Sequence, residues 1–240
     1  MKKIIYTLLF LLPLGTLAAA GKVNLQRVDI DLSDFKAIQN GAKHYVNYCL
    51  GCHSTKYMRY KRIALDLEID EDVVLNEIAP EGARIYDQMH TAMNDHDSKK
   101  WFGVTPPDLS LIARSRGGDW LYSYLKGFYV DKSKPLGVNN TIFKDVGMPN
   151  VLWKLQGIQS PVIRNVKGEE VISYLELKEP GTMSRAAFDQ MVTELVNFLV
   201  YVGEPVQLER RQMGKYVLFY LLLFGVIAYF LKKEYWKDIH

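Results

Sequence analysis

Apolar residues form one unbroken run at each end of the chain and recur at helical spacing between them. The first run, Ile4 to Leu12, follows Lys2-Lys3 and leads through Pro13 and Gly15 to the small residues Ala18-Ala19-Ala20. That order predicts a secretory signal over residues 1–20, with an uncleaved anchor as the alternative. The last run, Tyr216 to Leu231, is sixteen residues without a charge. At 1.5 Å per residue it spans roughly 24 Å, and extension through Met213, Gly214 and the long Lys215 side chain brings it close to the ~30 Å of a bilayer core. Its faces are apolar all round and aromatic residues stand at both ends, so a transmembrane helix is predicted over 213–231 rather than a buried soluble one. Residues 21–212 then form an exported lobe, and 232–240, with Lys232, Lys233 and Lys237, a cytoplasmic tail. Within the lobe, Phe35, Ile38, Ala42, Tyr45 or Val46, and Cys49 predict a helix capped by Ser33. A second helix is predicted by Ala187, Phe188, Met191, Leu195, Phe198, Leu199 and Val202.

Composition adds little, but the placement of charge adds more. The chain is 48% hydrophobic and 24% charged, with a net charge of +3, too small to argue for nucleic acid. Residues 66–97 nevertheless carry ten acids against one arginine, Arg84. Such a run reads either as a solvated surface or as a docking face for a basic partner. No repeat of fixed period is present.

Both cysteines of the chain lie in Cys49-Leu50-Gly51-Cys52-His53. A dithiol redox centre would need a strand entering the helix, whereas a helix precedes Cys49. A structural zinc site needs four ligands, and neither a second CxxC nor an HxxxH pair accompanies this one. A simple disulfide across two residues of a helix is a poor staple. CxxCH is also the attachment motif for covalent haem. Positions i, i+3 and i+4 share one face of a helical turn, so two thiols can tether the porphyrin while His53 reaches the iron from the same side. Export agrees with that chemistry. We therefore expect one covalently bound haem c, with Cys49 and Cys52 as tethers and His53 as an axial ligand.

A methionine on the opposite side would raise the potential relative to a second histidine. Met58 is too close in sequence to cross the haem. Met89 and Met93 read as packing residues on a helix, and Met191 as core. Met148, between Gly147 and Pro149 in Asp-Val-Gly-Met-Pro-Asn, sits in a loop suited to a ligand strap; Met183, in Pro-Gly-Thr-Met-Ser, is the lesser candidate. Between the ligands, Pro106-Pro107 forms a rigid turn suited to a porphyrin edge. Arg114 and Arg116 are candidates for pairing with haem propionates, with solvated arginines as the alternative. Trp120 and Tyr124 read as core.

Five segments now occur in order: YCLGCHSTKYMRYKR, GVTPPDLSLIARSRGGDWLYSYLKGFY, VGMPNVLW, GTMS and NFLVYVGEP, followed by one membrane helix. Over most of residues 30–237 the chain resembles the cytochrome c1 family, the haem subunit of the ubiquinol–cytochrome c oxidoreductase (cytochrome bc1) complex, in a bacterial form. The resemblance implies a mainly α fold, a class I cytochrome c-like helical domain with elaborated loops. It implies His53 and Met148 as iron ligands, and a propionate-contacting arginine that falls on Arg116. It further implies an electron-transfer subunit rather than a catalyst alone. Electrons would come from a Rieske iron–sulfur protein and pass to a cytochrome c. Cytochrome b would lie beside the membrane helix, and the complex would be dimeric. A stand-alone anchored cytochrome c serving an oxidase is the alternative; a haem sensor or peroxidase would need an open sixth position. Two departures from the family pattern are Met148-Pro149-Asn150 and an insertion at 154–172, expected to be a hairpin around Lys167-Gly168.

Overall fold

The computed structural model describes residues 24–166 and 168–239; the expected signal at 1–20 lies outside the described residues. The lobe is built on two helices far apart in sequence, α1 (Phe35–Tyr48) near its start and α8 (Arg185–Gly203) near its end. Between them run the short helices α2 (Tyr60–Asp66), α3 (Glu71–Glu77), α4 (Asp95–Phe102), α5 (Ile112–Arg116), α6 (Gly118–Lys126) and α7 (Trp153–Gln156). Among the described residues three two-stranded antiparallel sheets interrupt them: β1 (Thr55–Arg59) with β2 (Gln88–Met89), β3 (Phe128–Val130) with β4 (Val138–Asn140), and β5 (Gly157–Val166) with β6 (Glu169–Pro180). The architecture is mainly α, a helical lobe with elaborated loops.

The expected periodicity in α1 holds from its second turn, where Ile38, Ala42, Tyr45 and Cys49 are buried with Gly41, while Phe35 at the first position is exposed. Its cap is Asp34 rather than Ser33. The Asp34 side chain accepts from the Ala37 N–H at 2.9 Å, while Ser33 Oγ donates to Asp31. Either residue type can cap a helix, and the turn made by Asp31 diverts Ser33. The buried face of α1 lies on α8, where Val192, Leu195, Val196, Phe198 and Leu199 are buried. The rings of Tyr45 and Phe198 stand 5.4 Å apart. Each such side chain contributes about 1.5–3 kcal/mol on burial. The crossing is closest at Gly41, where an added Cβ would stand 2.0 Å from the Glu194 carbonyl oxygen and 2.8 Å from Phe198 Cβ. Beside it Asn40 Nδ2 donates to Glu194 at 3.2 Å and His44 Nε2 lies 3.1 Å from the same carboxylate.

The hairpin at the insertion exists, with Val166 paired to Glu169 at its tip, but it covers 157–180 rather than the expected 154–172. β6 runs on to Pro180, and register shifts at Ile158/Gln159 and Val162/Ile163 bend the ribbon. Its base is fixed by Gln159 Nε2, which donates to the carbonyls of Lys126 and Phe128, and by Met183 N–H, which donates to Leu155 O. Met89 and Met93 are not on a helix. Met89 lies in β2 and is fully buried, and Met93 sits in the loop before α4. A two-residue strand is too short to leave a period in sequence.

At the C-terminus, α9 (Gln207–Tyr235) continues for 29 residues with none buried, long and apolar enough to cross a membrane. It is longer than the expected span at both ends. An elbow joins it to the lobe. Glu204 pairs with Arg114 of α5 at 2.7 Å and with Arg210 of α9.

Two outcomes are expected. Gly41→Ala forces apart α1 and α8 and lowers lobe stability by about 1–3 kcal/mol, read by thermal melting. The Arg210 hydrogen bond, with Arg114 behind it, holds the Glu204 carboxyl below its ordinary range. A depressed carboxylate stabilises above its unfolded pKa, and that contribution disappears as pH falls through the folded value. Proteolysis within residues 204–212 therefore rises in acid, and Glu204→Gln shows the same cleavage at neutral pH.

Candidate haem-binding site

The helix that packs on α8 delivers the CLGCH turn at its end. Cys49 is the C-terminal cap of α1, its N–H bonded to Tyr45 O at 2.8 Å. The Cys52 and His53 N–H groups both return to Cys49 O, at 3.0 and 2.8 Å. The turn therefore carries helical i+3 and i+4 spacing through Cys49, Cys52 and His53. Tyr45, fully buried, donates its hydroxyl to His53 O at 2.5 Å and locks the turn onto the helix that precedes it.

His53 Nδ1 lies 2.8 Å from Pro107 O. A carbonyl can only accept, so Nδ1 carries the proton and Nε2 keeps its lone pair for a metal. Pro107 was expected to offer its ring to a porphyrin edge; here its carbonyl has a task of its own. Burial lowers the His53 pKa, with the Pro107 carbonyl opposing. Burial also pushes the Cys49 thiol up to about 12, with Cys52 adding to it, and raises Cys52 as well. A redox dithiol needs a depressed thiol; this pair is shifted the other way.

The segment carrying Pro107 is stitched to the CLGCH turn. Leu109 N–H donates to Ser54 O, Lys56 N–H to Asp108 Oδ2, and Tyr57 N–H to Ser110 Oγ. On the other side Thr91 Oγ1 donates to Gly51 O at 2.8 Å. The same segment borders the methionine strap: a Cβ at Gly147 would stand 2.9 Å from Val104 Cγ2. His53 and Met148 thus flank one stretch, Val104–Pro107. In that stretch Thr105 Oγ1 is buried without a hydrogen-bond partner among the described residues. Two free thiols, an imidazole with Nε2 available, a nearby thioether and an orphaned hydroxyl fit a haem bearing carboxylates.

Two buried asparagines build the strap, and sequence reasoning missed both. Asn139 Oδ1 accepts from Asn140 and Asp145 N–H. Asn140 Oδ1 accepts from Ile142 and Phe143 N–H, and its Nδ2 donates to Tyr124 O at 2.8 Å. A pair of adjacent amides before a loop was the available signal. Met148 is half-buried, and its Sδ accepts from the Tyr124 hydroxyl at 3.3 Å. Met58, Met89 and Met191 are core residues, and Met183 packs at the edge of the core.

The two arginines part company. Arg114 pairs with Glu204 at 2.7 Å. Arg116 is exposed and lies 5.1 Å over the Trp120 ring, with no ion pair among the described residues. Of the ten acids in 66–97, Asp66, Glu71, Glu77 and Asp87 pair with Arg62, Lys61, Lys43 and Arg84. Asp70 caps α3. Asp97 accepts from Asn94 Nδ2 and faces His96, so local structure uses six of the ten acids.

A core-packed helix ending in two thiols and a pinned imidazole, on a lobe with one membrane-length helix among the described residues, defines the class as an anchored c-type cytochrome. Residues 29–239 match the model of the Cytochrome C1 family. A cytochrome c1 of Allochromatium vinosum is 48% identical over all of this chain and 99% of its own length. A protein of Nitrosomonas europaea named ammonia monooxygenase gamma subunit is 43% identical with the same coverage. A mitochondrial cytochrome c1 haem protein of Neurospora crassa is 26% identical over 85% of this chain and 62% of its own length. The chain belongs to the cytochrome c1 family, whose members are membrane-anchored electron-transfer subunits of the bc1 complex. They carry one covalently bound haem c and sit with cytochrome b and a Rieske protein.

Asn140→Ala leaves the Ile142 and Phe143 N–H groups without their partner and takes one of two donors from the Tyr124 carbonyl, which Gly127 N–H still holds. The expected loss is about 1–3 kcal/mol of lobe stability, measured by thermal melting against the parent chain.

Proposed function

We propose that this chain relays single electrons from a Rieske iron–sulfur protein to a cytochrome c during quinol oxidation. Residues 21–212 act on the periplasmic side of a bacterial inner membrane, and 213–231 span it within a dimeric complex. Cys49 and Cys52 would hold the haem covalently as thioethers, His53 Nε2 and Met148 Sδ would be the ligands to its iron, and Arg116 would pair with a propionate. When bound, haem c supplies reversible one-electron chemistry. The chain itself fixes the imidazole tautomer through Pro107, holds the thioether through its strap, and limits water at Cys49. The exposed acids of 66–97 that local pairing does not use, among them Glu68, Asp72 and Glu81, offer a docking face to the cytochrome c, acting on encounter rate more than affinity.

The observation carrying this reading is the His53 Nδ1–Pro107 contact, which leaves Nε2 available directly after two thiols at the end of a buried helix. The test is solubilisation of the tagged chain from membranes. Haem resistant to acid–acetone extraction is expected, with a di-haem cytochrome b and a Rieske protein co-purifying. Recovery alone would favour a stand-alone anchored cytochrome. Recovery with monooxygenase subunits, the assembly named for the Nitrosomonas europaea relative, would also overturn the assignment. Met148→Leu should abolish the methionine–iron charge-transfer band and lower the potential, cutting the ferrous-to-ferric ratio at a fixed ambient potential about tenfold for each ~59 mV lost. An unchanged spectrum would remove Met148 as the ligand.

A further inference from the structure

Tyr124 spends its hydroxyl on a weak acceptor, the thioether of Met148, at 3.3 Å. The ring has little freedom to do otherwise. Trp120 stacks on it at 4.9 Å with 9° between planes, and Phe128 meets it edge-on at 5.3 Å. Its backbone carbonyl accepts from Asn140 of the strap. The Arg116 guanidinium lies over the Trp120 ring at 5.1 Å. Arg116, Trp120 and Tyr124 are four residues apart, and the ladder they form ends on sulfur.

We propose that Tyr124 is a positioning residue for the axial methionine: its hydroxyl engages one lone pair of Met148 Sδ, leaves the other for iron, and raises the potential of the site. This rests on Met148 being the ligand. A thioether sulfur has two lone pairs, so a fixed donor on one selects which is presented to a metal. The same donor draws electron density from the sulfur. A poorer-donating ligand favours the ferrous over the ferric state, as hydrogen bonds around metal ligands do generally. No proton moves and no other reactant is required.

The test compares the full, haem-loaded chain with its Tyr124→Phe, Tyr122→Phe and Met148→Leu variants. Tyr124→Phe keeps the ring stack and loses only the hydroxyl. Its charge-transfer band should persist but shift. Its ferrous-to-ferric ratio at a fixed ambient potential should fall about threefold, or about 30 mV at 59 mV per tenfold for one electron. Tyr122→Phe, on the same helix but bonded to Lys126, should leave band and potential unmoved. A Tyr124→Phe variant that melts lower but keeps the parent band and potential would reduce Tyr124 to a packing role and overturn the proposal. So would an equal shift in Tyr122→Phe. Loss of the band in Met148→Leu together with an unmoved Tyr124→Phe would sink this inference while leaving the ligand assignment standing. Retention of the band in Met148→Leu would sink the assignment itself.

Discussion

The close crossing of α1 and α8 governs where everything else can stand. With no side chain at Gly41, the Glu194 carbonyl approaches to a distance that any Cβ would forbid. That approach buries Ile38, Ala42 and Tyr45 against Val192, Leu195 and Phe198. It also aims the end of α1 across the lobe. Tyr45 serves both tasks, packing on Phe198 with its ring and holding the His53 carbonyl with its hydroxyl. Packing energy spent in the core is thus converted into the position of the CLGCH turn. Interiors packed at crystal-like density transmit such constraints with little slack.

From that turn outward, position is set by polar bonds to loops rather than by more core. Pro107 O, Ser54 O, Asp108 and Ser110 tie the turn to the segment that follows α4. Asn139 and Asn140 tie the methionine strap to itself and to α6. Irregular backbone near a buried site has no ladder to satisfy it, and side-chain amides do so at fixed angles. These bonds hold the CLGCH turn and the Met148 strap in place without a helix or sheet at Met148.

Features dictated by local chemistry were legible in the sequence. The CxxCH spacing follows from one helical turn, the membrane-length helix from an uncharged run, and the buried face of α1 from its period. The hairpin could be read from Lys167-Gly168, but its length could not, because β6 carries alternating apolar and charged residues through Glu176 and Lys178 to Pro180. Ser33 and Asp34 are both capping residues, and only the Asp31 turn decides between them. Arg114 and Arg116 are chemically equal in sequence; Glu204, ninety residues on, tells them apart. The Pro107 carbonyl and the Tyr124–Met148 contact join residues whose pairing leaves no periodic trace, so only three-dimensional closure reveals them.

The elbow at Glu204 has a mechanical meaning. A single carboxylate fastened to α5 on one side and α9 on the other makes the anchor a bracket rather than a leash. A leashed lobe would sweep a hemisphere above the bilayer and present its reactive edge at random. A bracketed one stands like a fixed post, so the search for contact falls to whatever travels toward it.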